Sequence, residues 1–310
     1  MKLQDILNIK YPFIQGGMAN IATGEFAAKV SNAGGLGLIA SGGLPSSELE
    51  KEILIAKKLT NKPFGINLML MNPESDKIAD LIIEQGIQVV TTGAGNPAKY
   101  IEKWKNAGIK VFPVIPNPTI AIKMEQLGVD GIIAEGMEAG GHIGKMTTMT
   151  LLPQVIEKVN IPVIAAGGIA SGKQMLAAEI LGACGFQMGT IFLATKECPI
   201  HQNYKDKIIS SKDTNITVMG YSTGLPVRVL RNSMTNEYLK KEASGVDKME
   251  LEKYTLGSLR KAVFDGDVSN GSLMAGLVVG QIKEEKTIEQ LMYDLYNEYL
   301  FEKKEFCKNA

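Results

Sequence analysis

Histidine is nearly absent from the chain: of 310 residues only His142 and His201 carry an imidazole. A metal centre built on several histidines is therefore excluded. Cysteine is scarce as well. Cys184, Cys198 and Cys307 are odd in number and never spaced C-x-x-C, which argues against a disulfide framework or a structural zinc and for a reducing compartment. Charge of neither sign is in excess, with 33 Lys+Arg against 33 Asp+Glu, so nucleic-acid binding through bulk charge is not expected. No apolar run approaches the roughly 18 residues of a membrane helix, and the opening Met1-Lys2-Leu3-Gln4-Asp5 lacks the apolar stretch of a signal peptide. A soluble, cytoplasmic chain without membrane contact is the expectation.

What the chain has in quantity is glycine, 33 residues without a G-X-Y period, and apolar side chains at 45%. The first implies many tight turns, the second a sizeable core. The length fits one large α/β barrel or two ordinary domains. Eight short apolar runs decide between them, at 13–15, 36–41, 64–70, 88–92, 110–115, 131–135, 162–166 and 186–190. The stretches between them have helical period: in 48–59, Leu49, Ile53, Ala56 and Leu59 share one face. Near-continuous apolar strands alternating with helices are parallel strands buried on both faces, and eight such units in succession predict a (β/α)8 TIM barrel.

In a barrel of this kind chemistry collects where the strands end. Those ends include Gly16-Gly17-Met18-Ala19, Ser41-Gly42-Gly43, Asn67, Thr92-Gly93-Ala94-Gly95, Glu135-Gly136, Gly167-Gly168 and Gly189-Thr190. Glycine recurs at six of the eight ends, letting a ligand approach the backbone closely. After Cys198 the pattern changes. Residues 199–270 are polar, hold the Arg228, Arg231, Lys240, Lys241 cluster and show no strand-helix alternation, so they read as a small inserted helical cap. Residues 271–276 turn apolar and glycine-rich, as a segment returning to the barrel mouth would. A closing helix follows over 287–302, with Thr287 and Gln290 as its capping box. Three units result: a barrel at 1–198, a cap at 199–270, and a return segment with C-terminal helix at 271–310.

Two motifs are false. Gly167 to Gln174 is one residue short of a P-loop, with Gln174 where a magnesium-binding hydroxyl must stand. Gly93-Ala94-Gly95-Asn96-Pro97-Ala98 matches a dinucleotide fingerprint, but no acidic residue ends the following strand, and eight units in series contradict an open sheet. What survives is backbone N–H groups of Gly167, Gly168, Gly189 and Thr190 beside a helix start, the usual phosphate site of barrels after strands seven and eight.

His142 lies in a loop with four glycines between 136 and 144 at the end of strand six, where little packing would hold a structural imidazole. Its expected role is to hydrogen-bond a ligand or supply a proton near neutral pH. Glu135 is expected to point into the mouth as an acceptor, whereas Asn67 is either an anchoring amide or a loop cap. Glu138, Lys145 and His201 are expected to be solvated. Spacing alone therefore gives a barrel binding a phosphorylated ligand beside a histidine, and a phosphometabolite-binding barrel without turnover fits it as well as an enzyme.

Several strings in order sharpen this: Gln15-Gly16-Gly17-Met18-Ala19, Lys62-Pro63-Phe64-Gly65-Ile66-Asn67, Thr91-Thr92-Gly93-Ala94-Gly95-Asn96-Pro97, Glu135 to Lys145, Ala165-Ala166-Gly167-Gly168-Ile169 and Gln187-Met188-Gly189-Thr190. Together they resemble the FMN-dependent enoyl-acyl-carrier-protein reductase II family, within the wider nitronate monooxygenase superfamily. The resemblance implies FMN held at Gly17, Met18, Ala19, Asn67, Glu135, Gly140, Gly141, His142, Ala166, Gly167, Gly168, Met188, Gly189 and Thr190, with Met274 and Gly276 closing over it. It implies NADH or NADPH as co-substrate, an enoyl-acyl carrier protein as partner, and His142 as the catalytic side chain. A homodimer and a monovalent cation also enter as expectations. Three features bear on the choice within the superfamily. Leu277 follows Met274-Ala275-Gly276 where the family pattern has Gln, and Ile191 stands where reductases often have Arg. Residues 111–115 lack the lysine that some nitronate monooxygenases carry near the flavin. The last of these favours the reductase over a nitronate monooxygenase acting with O2.

Overall fold

The computed structural model describes residues 2–309. Its eight barrel strands are β1 (Phe13–Gln15), β2 (Gly37–Ala40), β3 (Phe64–Met69), β4 (Val89–Gly93), β5 (Lys110–Ile115), β6 (Ile132–Glu135), β8 (Val163–Ala166) and β9 (Gly185–Met188), while β7 (Gly141–His142) stands apart from the barrel. All eight run parallel in the order β1-β9-β8-β6-β5-β4-β3-β2. The seam between β1 and β2 is closed by Leu36: its N–H donates to Phe13 O (2.8 Å) and its carbonyl accepts from Gln15 N–H (3.0 Å). The Gln15 side chain, fully buried, accepts from Leu38 N–H at 3.1 Å across the same seam. A polar residue in a strand is thus satisfied inside the barrel wall. The expected (β/α)8 barrel is observed.

The helices α1 (Leu3–Leu7), α2 (Gly24–Ala33), α3 (Ser46–Leu59), α4 (Ser75–Glu84), α5 (Ala98–Asn106), α6 (Pro118–Gln126), α7 (Thr148–Ile156) and α8 (Gly172–Ile180) accompany the strands. Short polar residues start several of them. Thr23, Asn117 and Ser171 each accept from a backbone N–H of the first turn, and Pro118 follows Asn117 where its missing N–H costs nothing. Two apolar layers result. Inside the barrel, Ile14, Leu36, Leu38, Val89, Phe112, Ile133, Ile164 and Ala166 pack against Leu3 and Leu7, so α1 plugs the end opposite the mouth. Between strands and helices lies the larger core around Phe26, Trp104, Phe192 and Met292.

Past the barrel come α9 (Thr190–Leu193), α10 (Gln202–Ser210), β10 (Ile216–Met219), β11 (Val227–Leu230), α11 (Ser233–Ala243), α12 (Lys248–Thr255), α13 (Ser258–Arg260) and α14 (Ile288–Asn309). Three sequence expectations need correction here. The cap is not purely helical: β10 and β11 form an antiparallel hairpin whose second strand, β11, also pairs with β7, giving a three-stranded sheet with β11 at its centre. The hairpin has β-branched residues at Ile216, Thr217, Val218, Val227 and Val229, but each strand is only four residues long and lies in polar sequence, so it left no periodic signal. Strand eight stops at Met188 rather than reaching 190, because Thr190 opens α9. The capping box of α14 is half formed: Thr287 accepts from Gln290 N–H at 3.2 Å, but the Gln290 side chain bonds Asp294.

α14 returns to brace the barrel from outside. Glu298 accepts from Gly172 N–H (2.9 Å), and Tyr299 and Lys303 both donate to Glu179 on α8 (2.7 Å each). A side chain at Gly172 would overlap the backbone of Tyr299, so glycine here lets the two helices cross. No helix of the described residues is long and apolar enough to cross a membrane.

Candidate active site at the barrel mouth

The loops after β1, β6, β8 and β9 converge with the return segment on one rim. Gly17, Met18 and Ala19 form the loop after β1, and a side chain at Gly17 would overlap Asn67, so the loop lies directly on the end of β3. Asn67 accepts from the Thr91 hydroxyl at 2.8 Å. Its oxygen is spent inside the barrel, leaving the amide NH2 free to face the mouth. Met18 reaches across to Gly189: a Cβ built there would lie 3.5 Å from the Met18 sulfur.

Gly167 and Gly168 both take left-handed backbone angles, φ +85 and +76, which a side chain would strain. A Cβ at Gly167 would also come within 2.7 Å of Gly136 O. Among the described residues no group accepts from the N–H of Gly168 or Gly189. Two free, rigidly held donors beside the start of α8 form a cradle suited to an anion. Gln174 folds back onto this loop, accepting from Ala170 N–H at 2.8 Å, and so serves as a brace where a P-loop would need a metal-binding hydroxyl.

Glu135 ends β6, half-buried, with no hydrogen-bond partner among the described residues. Loss of hydration pushes its carboxyl up to about 7. A carboxyl without a partner among the described residues and close to half-protonated at neutral pH can accept from a polar ligand or donate to it. Ala166, paired with Glu135 across β6 and β8, is buried inside the barrel. Met188 points its side chain into the outer core, so only its backbone reaches the mouth, where its carbonyl takes Gly16 N–H at 2.8 Å.

The glycine-rich segment after β6 is not the loose loop that its composition suggests. Gly141 and His142 form β7, paired with Arg228 and Val227 of the cap hairpin. His142 reaches the surface on this short strand, while the loops around its ring keep part of it from water and so lower its pKa from the ordinary value. Glu138 is not solvated, contrary to expectation. Its carboxylate accepts from Thr148 N–H at 2.9 and 3.0 Å at the start of α7, where the helix dipole also favours it. The Thr148 hydroxyl lies 2.8 Å from Gly167 O, tying the same knot to the glycine cradle.

The return segment is pinned from three sides. Tyr204, fully buried, donates its hydroxyl to Met274 O at 2.8 Å. Thr190 Oγ1 accepts from Gly276 N–H at 2.9 Å, and Glu138 O accepts from Leu277 N–H at 2.9 Å. Gly140 lies so close to this segment that a Cβ would sit 2.7 Å from the Ala275 carbonyl carbon, which makes glycine necessary. Tyr204 and Thr148 carry no motif in the sequence, and Arg228 stands there only as one of a basic cluster, since the partners of each lie beyond any local pattern. His201 caps α10, its Nδ1 accepting from Asn203 N–H at 3.1 Å. The basic cluster of the cap is dispersed: Arg228 is 5% exposed, and Lys241 lies against Glu250 (3.4 Å) and the Tyr254 ring.

A parallel barrel with free backbone N–H groups after its last two strands, a carboxyl without a partner among the described residues and a rim histidine has at its mouth the donor and acceptor set that a phosphorylated ligand would need. The chain belongs to the nitronate monooxygenase family, whose model matches residues 1–298. It is 37% identical to a probable nitronate monooxygenase of Staphylococcus saprophyticus over 290 residues, covering 76% of this chain and 81% of that one. Among solved structures it superposes on FabK from Thermotoga maritima with a TM-score of 0.97 and 43% identity, covering 99% of this chain and 98% of the other. A nitroalkane oxidase from Streptomyces ansochromogenes matches with a TM-score of 0.87 at 26% identity over 98% of this chain and 99% of that one.

Proposed function

We propose that the chain is an FMN-dependent reductase of trans-2-enoyl thioesters carried on acyl carrier protein, drawing its electrons from NADH or NADPH. The observation that carries this reading is the match to FabK, which extends over the whole chain at 43% identity. The strings that resemble enoyl reductases also fold onto one rim. The donor set suits FMN: the free N–H groups of Gly168 and Gly189 fit a terminal phosphate, and Glu135 and the Asn67 amide fit hydroxyls and ring edges.

When bound, FMN supplies the relay of a hydride from the nicotinamide to the β-carbon of the enoyl thioester. The chain's own share is placement. Gly168 and Gly189 hold the phosphate end, and Met274 to Gly276, pinned by Tyr204 and Thr190, limit water at the other side. His142 faces the thioester. With its pKa held below the ordinary value, its neutral N–H is a hydrogen-bond donor to the thioester carbonyl, which gains negative charge as hydride arrives. The fraction that is protonated can deliver the proton that the α-carbon requires.

The second reading is a nitronate monooxygenase, favoured by the family match and by the name of the Staphylococcus relative. One pair of assays separates them. The reductase reading expects NAD(P)H to be consumed in step with a trans-2-enoyl-CoA or carrier thioester under anaerobic conditions. Oxygen uptake with an alkyl nitronate, and no thioester-dependent turnover, would overturn it in favour of the second.

A further inference from the structure

Arg228 is a cation buried to 5% exposure, yet no carboxylate among the described residues lies within ion-pair distance of it. The acid whose charge acts on it, Glu138, spends its carboxylate on Thr148. The guanidinium instead places Nε (3.1 Å) and one terminal nitrogen (2.7 Å) on a single acceptor, the Met137 carbonyl. Desolvating a guanidinium for a neutral carbonyl is costly, and an apolar side chain of similar length would fill the same space without that cost. Packing therefore does not explain the residue. What only arginine supplies here is the planar two-pronged grip.

The grip matters because of where it falls. Arg228 lies on β11, and the backbone of the same strand pairs with β7, in the register Arg228↔Gly141 and Val227↔His142. One strand thus holds the 136–142 segment at both ends: by side chain at Met137, by backbone at Gly141 and His142. Three of the residues between and beside these points, Gly136, Gly140 and Gly141, are glycines that leave the segment free to take many other shapes. Met137 N–H also bonds Met146 O at 2.7 Å, Gly136 N–H ties the segment's start to Ala166 O at 2.9 Å, and Glu138 is held by Thr148 through its carboxylate and by Leu277 N–H through its carbonyl; what the strand of Arg228 adds is the hold on the Met137 carbonyl and on the Gly141-His142 end.

We propose that Arg228 is a positioning residue, whose fork on the Met137 carbonyl fixes the 136–142 segment so that Gly140, Gly141 and His142 stand where flavin and thioester meet them. The proposal rests on the flavin reading above. It makes the cap hairpin part of the active site without contact with any ligand.

The test uses Arg228→Met, which keeps the length and removes the fork, and Arg228→Lys, which keeps the charge with a single point of attachment. Both are compared with the wild type for thermal unfolding of the flavin-free protein, FMN affinity by fluorescence, and the pH profile of kcat/KM. Melting close to the wild type is expected for Met, with FMN bound at least about tenfold more weakly. The inflexion due to His142 should move up toward the ordinary histidine value near 6.5 as the segment opens to water. Should the Met variant fail to fold, the Lys variant carries the same two readouts. Wild-type FMN affinity and an unmoved inflexion in the folded variants would overturn the proposal. Failure of the wild type itself to bind FMN would overturn the flavin reading instead.

Discussion

Two side chains at the mouth carry opposite kinds of information. His142 stands out in the sequence because glycines surround it, and the structure keeps it at the rim on a two-residue strand. If it orients the thioester and supplies the proton, His142→Ala lowers kcat/KM by on the order of 100-fold or more. FMN binding, measured by fluorescence, should change far less. Glu135 is legible only as a polar strand end, and its consequence lies in the folded protein. Its carboxyl titrates near 7 in the fold against 4.5 when unfolded, so the fold favours the protonated form. Stability from this group is therefore fully present below about pH 4.5 and is lost as pH rises through about 7. In the flavin-free protein Glu135→Gln should unfold at higher urea than the wild type at pH 8, by roughly 1–3 kcal/mol, and by much less at pH 5. Equal gains at both pH values would show that the carboxyl is not desolvated.

At the scale of elements, glycines with left-handed angles separate two kinds of effect. Gly168→Ala should cost about 1 kcal/mol or more of stability from backbone strain, and should weaken FMN because the strained loop can no longer aim its N–H groups. Leu7→Ala, in the helix that plugs the far end, removes a buried side chain from the inner core and should cost about 2–5 kcal/mol in denaturant unfolding. The flavin spectrum of that variant should match the wild type, since the plug and the mouth lie at opposite ends of the barrel. The contrast explains what the sequence disclosed. Barrel strands such as Lys110–Ile115 are buried on both faces and read as unbroken apolar runs, so their bounds emerge from the residues alone. The hairpin Ile216–Met219 with Val227–Leu230 gains its third strand by pairing Val227 and Arg228 with His142 and Gly141, some 85 residues earlier, and no local pattern records such a partner. The same reasoning covers Glu138: its neighbours suggest solvent, and its role as the acceptor at the start of α7 depends on the path of the loop between them.

At the scale of the whole molecule, the cap and the C-terminal helix are tied to the barrel mouth and to the helices beside it. The cap hairpin pairs with the histidine strand, Tyr204 pins the return segment, and α14 clamps α8 through Glu298, Tyr299 and Lys303. Some of the glycines at the mouth prove to be points where these loops touch, as at Gly140 against Ala275 and Gly167 against Gly136. Neutral overall charge conceals no compact basic patch at Arg228, which is buried. Arg231 and Lys240 remain exposed on the cap and are where an acidic carrier protein would be sought. Reversing both charges should raise KM for a carrier-linked enoyl substrate at low salt and leave the CoA-linked one unchanged. The central claim is reached most directly by one anaerobic experiment: purified protein reconstituted with FMN, mixed with NADH or NADPH and crotonyl-CoA, and followed by nicotinamide absorbance and flavin colour together. A reductase consumes one nicotinamide for each thioester reduced, with flavin colour returning when substrate is added. Flavin that stays bleached in the presence of the thioester, and is reoxidised only when air is admitted, would contradict it.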